Sequence, residues 1–136
     1  MEKKEIIEII DTINDYRLKR FRRDNLQEQY ERMSSLGYEV TADDRKKLLS
    51  VAQKDLDVIE PRVKELIMNI EQRFALHPQD KALKLIVLHI EMLNMEPNQM
   101  EKQRQKINAL RQKVLGLVDE IDKLRNENSL FSETQI

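Results

Sequence analysis

The chain has 136 residues, 36% of them charged and 40% hydrophobic, while Gly (2), Pro (3) and aromatics (4%) are scarce. That composition excludes collagen-like and mucin-like chains and typical β-sandwiches, which need turn residues and β-branched or aromatic strands. With 24 basic against 25 acidic residues the overall charge selects no partner, and the absence of Cys removes disulfides, thiolate zinc sites and thiol catalysis together.

The composition fits a helical bundle or coiled coil. The N-terminus, Met1-Glu2-Lys3-Lys4-Glu5, has acids where a signal peptide needs an apolar run. The longest apolar runs, such as Leu85-Ile86-Val87-Leu88, fall far short of the ~20 residues that span a membrane. The expectation is one soluble, cytoplasmic helical domain over residues 1–128 with a flexible tail, 129–136.

Helix one is predicted over 3–33. Ser34-Ser35-Leu36-Gly37 stops it, with Gly37 as a left-handed cap. Its apolar residues form two stripes, Ile6, Ile9, Ile10 and Ile13 and then Leu26, Tyr30 and Met33, rotated by roughly half a turn at 100° per residue. Either the helix bends or unwinds around 17–25, or its second half meets a different partner. Helix two is predicted over 42–76, with Thr41 as N-cap and Asp43 and Asp44 in the first turn. Pro61 falls inside it, but Ala52, Leu56, Ile59, Val63, Leu66 and Ile70 keep their 3–4 spacing across the proline, which predicts one kinked helix rather than two.

His77-Pro78 ends helix two, and helix three is predicted over 79–95. It is apolar on most faces and so must be buried all round, in the core or in a subunit interface. Asn94 to Asn98 marks the next break, with Pro97 in the first turn of helix four, 97–128. There Ile107, Leu110, Val114, Leu117, Ile121 and Leu124 form a heptad seam with β-branched a and Leu d positions, the pattern of two-stranded parallel coiled coils. Asn128 takes the next a position. Lys106 against Arg111 would clash in a parallel self-pair, and Leu115 and Val118 widen the seam, which suits packing against several helices. The predicted fold is all-α: an elongated four-helix bundle with a coiled-coil-like C-terminal helix.

Groups for chemistry are few. His77 and His89 lack the Glu three residues upstream that a ferritin-like di-iron site needs, and two glycines cannot build a phosphate-cradling loop. No catalytic residue, cofactor or metal site is expected, and the chain reads as non-enzymatic. Two basic clusters stand out: Arg17, Lys19, Arg20, Arg22 and Arg23, then Lys102, Arg104, Lys106, Arg111 and Lys113. Antiparallel packing of helices one and four would pool them into a zone for phosphates, with Tyr16 and Phe21 as stacking surfaces. Against this, the first five side chains splay around the helix, and acidic faces elsewhere would neutralise them.

The end, Glu133 to Ile136, has the Thr-x-aliphatic-carboxylate form that PDZ-type grooves accept, a pattern that also arises by chance. The function expected is that of a helical interaction or scaffold protein that homo-oligomerises, a dimer being favoured, and packs against partner helices. The alternative is a nucleic-acid-binding subunit of a larger assembly. A carrier of small ligands in a core lined by Met68, Met92 and Met95 is a third reading, although Met more often only fills a core.

Overall fold

In a computed structural model, residues 1–116 of the chain are described. Four α-helices follow one another: α1 (Lys3–Ser35), α2 (Glu39–Leu76), α3 (Lys81–Glu91) and α4 (Pro97–Leu115), with a 3-10 turn, Met92–Asn94, after α3. Among the described residues there is no strand, and the fold class is all-α. No helix of that region is long and apolar enough to cross a membrane. Seam residues Leu117, Ile121 and Leu124, Asn128, and the tail 129–136 lie outside the described residues.

Contacts gather the chain into two compact units, 7–71 on one side and Met1–Ile6 with Gln72 onward on the other. The first is a helical hairpin of α1 and α2. Gly37, at φ 81, closes it. Its N–H donates to the Ser34 carbonyl (3.2 Å) and the Tyr38 N–H donates to Met33 (3.0 Å), the paired bonds of a Schellman cap. This turn corrects the expected cap at Thr41. The Tyr38 carbonyl already accepts from the Ala42 N–H at 2.9 Å, so α2 begins at Glu39 and Thr41 sits inside it.

α1 is helical without interruption through 17–25, so no unwinding joins its two stripes. Tyr16 is the link. It is buried with Ile6, Ile10, Ile13 and Leu26. Ile6, Tyr16 and Leu26 stand ten residues apart, so the buried line slips steadily by about 80° per ten residues at 100° per residue. α2 is likewise continuous through Pro61. An interior proline costs about 3 kcal/mol. Burial on both sides of it, at Leu56 and Val63, offsets that cost, at about 1.5–3 kcal/mol for each full side chain.

In the second unit α3 packs against α4. α3 is shorter than the expected 79–95. Asp80 is its N-cap, its Oδ1 accepting from the Leu83 N–H at 3.1 Å, and the last turn tightens into the 3-10 segment. Leu83, Leu85, Ile86, Leu88 and Ile90 are all buried, as an all-round apolar helix requires. α4 begins at Pro97 as expected and is described to Leu115; the expected continuation to 128 lies outside the described residues. Gly116, the poorest helix former after proline, takes φ 49 just after Leu115.

Candidate functional site

α4 joins α3 through a buried amide. Gln103, only 3% exposed, donates from Nε2 to the Leu88 carbonyl (2.9 Å) and to Glu91 Oε2 (3.0 Å). Leu88 lies near the end of α3, where backbone carbonyls run out of helical partners. Gln103 therefore fixes the register of the two helices as well as filling space. The buried residues of α4 are Gln103, Ile107 and Leu115, and Arg111 is half-buried between them. That line steps by four. The heptad seam steps alternately by three and four, and its Leu110 and Val114 are only half-buried.

The basic residues of α4 divide by face. At 100° per residue Lys102, Lys106 and Lys113 fall within an arc of about 40°, with Arg104 and Arg111 on the opposite side. The three lysines are exposed and form no ion pair among the described residues. Glu101, the only acid of α4, stands about 100° from Lys102.

The α1 cluster is arranged differently. Lys19 pairs with Asp15 at 2.9 Å and Arg23 with Asp24 at 2.8 Å, while Arg20 lies over the Tyr16 ring at 5.6 Å. Arg17 is half-buried. Arg22 is exposed and has no ion pair among the described residues. Local acids and an aromatic face thus engage much of this charge. Tyr16 is buried, so it offers no stacking surface; Phe21 is exposed and does. The two clusters belong to different units.

Charge also ties α1 to α2. Glu60 accepts from Lys64 at 2.8 Å. Its carboxyl is held below the ordinary carboxylate value first by that hydrogen bond, opposed by desolvation, and then by the Lys64 and Arg23 charges and a Tyr16 hydrogen bond. The Lys64 ammonium is held above its ordinary value, chiefly by the same hydrogen bond. Tyr16 beside Glu60, and Asp11, Thr12 and Asp15 facing Leu66, Val63 and Arg62, set the antiparallel register, residue i of α1 lying near residue 76−i of α2. An open groove along this pair is lined by Asp11, Asp15, Ile59, Arg62 and Leu66.

Among the described residues no three His, Asp or Glu side chains gather to hold a metal ion. His77 is exposed in the loop after α2, and His89 is half-buried on α3. Met92 is buried and Met95 half-buried, but Met68 is exposed on α2, so the three do not line a common core. Apart from Phe21, the exposed apolar residues carry no motif that singles them out. On the hairpin Leu18, Phe21, Leu36, Tyr38, Val40 and Val58 are each exposed. The signal available was their off-stripe position: Leu18 stands about 160° from Tyr16 at 100° per residue.

Comparison of the chain with family models, with curated proteins and with solved structures finds no match.

Proposed function

We propose that the protein is a non-enzymatic helical interaction protein that acts by homo-oligomerisation and by packing against partner helices. The observation that carries this reading is the exposed apolar surface of the 7–71 hairpin, from Leu18 and Phe21 on α1 to Val58 on α2. Single exposed hydrophobics are ordinary, but here they recur on the outer sides of both helices, away from the buried lines, and this supports surfaces that partner helices would meet. The heptad residues Leu117, Ile121 and Leu124 extend the same reading as a seam for a partner helix. Size-exclusion chromatography with light scattering tests it. A mass of two or more chains is expected, and Leu117→Asp is expected to lower it. A monomer at every concentration sinks the homo-oligomer.

A second reading, nucleic-acid binding, has one specific observation in its favour: the acid-free arc of Lys102, Lys106 and Lys113 on α4. Lysines aligned on an exposed face engage phosphates by counterion release. Replacing the three by Glu should abolish binding to a labelled DNA duplex. Arg20→Glu with Arg23→Glu should matter less, because their partners lie within the chain. Binding that ignores both salt and the lysine triplet counts against this reading.

A further inference from the structure

α2 has two sides. One carries the buried line Ala52, Leu56, Val63 and Ile70. The other carries three valines that nothing in the hairpin covers: Val40 is 78% exposed, Val51 54% and Val58 75%. They stand eleven and seven residues apart, both close to whole numbers of turns. At 100° per residue all three lie within about 20° of one line, which runs for about 27 Å at 1.5 Å per residue. Between them on the same side come Asp44, Lys47 and Lys54. None of these three forms an ion pair among the described residues. The helix therefore presents a straight apolar and charged stripe whose charges have no partner of their own.

The order of residues along the stripe decides its occupant. Taken in 3–4 steps it reads Val40, Asp44, Lys47, Val51, Lys54, Val58. Laid antiparallel on a second copy with residue i opposite residue 98−i, Val40 meets Val58 and Asp44 meets Lys54. The methylene stem of Lys47 covers Val51, a use to which long lysine side chains are suited. Two-fold symmetry makes each of these pairs twice, and no like charges meet along the line. Leu48, 40% exposed, lies on one rim and approaches its own copy near the two-fold axis. In a parallel self-pair Asp44 would meet Asp44, Lys47 would meet Lys47 and Lys54 would meet Lys54.

From this self-complementarity we infer that the outer face of α2, Val40 to Val58, binds a second copy of the chain antiparallel to itself. This rests on the homo-oligomeric reading and gives it a surface, an orientation and a register. On the opposite rim the register brings Asp43 towards Asp57 of the second copy. That repulsion keeps the contact weak, and Asp43→Asn tightens it.

The chain has no cysteine, so single-thiol variants report the register directly. The full-length Val40→Cys and Val58→Cys variants, mixed and treated with a short bis-maleimide, should cross-link to each other at least about tenfold more than either does to itself. In light scattering, Asp44→Lys alone or Lys54→Asp alone should raise the dimer dissociation constant about tenfold, because like charges then face each other. Asp44→Lys with Lys54→Asp should return it to within about threefold. Equal self-linking by either cysteine variant, or additive losses in the double charge variant, overturns the proposal. A wild-type chain that stays monomeric overturns this face and the homo-oligomeric reading together. An oligomer that Leu117→Asp dissolves, and that the α2 variants leave intact, overturns the α2 face alone.

Discussion

α3 and α2 each bury five residues, but α3 does so in 11 positions and α2 in 38. α3 is held by its surroundings: isolated helices shorter than ~12–15 residues are marginal in water, so apolar cover on nearly every side must supply what length does not. α2 has enough length to spend only one side on its own chain. The contrast teaches where to look for function. A helix covered all round reports on stability, whereas a helix with an uncovered side carries the surface that other molecules meet.

Substitutions that separate cover from exposure break this comparison most sharply. Leu85 is fully buried on α3, and Leu85→Ala should cost about 2–5 kcal/mol in urea unfolding followed by circular dichroism. Val58→Ala on the outer side of α2 should stay within about 0.5 kcal/mol. Equal losses would erase the distinction between the two helices.

The next effect concerns what joins α3 to α4. Gln103→Ala removes the amide that serves the Leu88 carbonyl and Glu91, and should cost about 1–3 kcal/mol. A neutral result would mean that apolar cover alone holds α3. Smaller again is the closure of the hairpin. Gly37→Ala meets no neighbouring atom within 4 Å, so only the φ of 81 is strained and the loss should be about 1–2 kcal/mol.

The smallest effect is electrostatic. The folded-state pKa of Glu60 is lowered, so its contribution is present above the unfolded value, near 4.5, and is lost as pH falls through the folded one. The stability difference between wild type and Glu60→Gln should therefore shrink from about pH 6 to about pH 3. A difference that grows on acidification would reverse that sign.

Much of this architecture was legible in the sequence because helical periodicity is a long-range signal. The phase carried through Pro61, the apolar circumference of α3 and the cap at Gly37 were all readable. The errors are local. Tyr16 suggests a stacking surface because it stands beside a basic run, although its ten-residue spacing from Ile6 and Leu26 places it on the buried line. Thr41 fits an N-cap by residue type alone, but a turn closed at Gly37 leads straight into α2. The uncovered side of α2 is hidden in the sequence for a different reason. Three valines among charges do not resemble a seam until the buried side of the helix is known.

The turn at Gly37 also sets an order of events. Because residue i of α1 lies near residue 76−i of α2, pairs next to the turn close short loops, while Tyr16 and Glu60 close one of roughly forty residues. Each doubling of loop length adds only about 0.6 kcal/mol of entropy, so the hairpin can zip from its tip along a gentle gradient. A hairpin assembled in that direction acquires the Val40 end of the outer stripe before the Val58 end, and the tip is the earliest point at which two folding chains would meet.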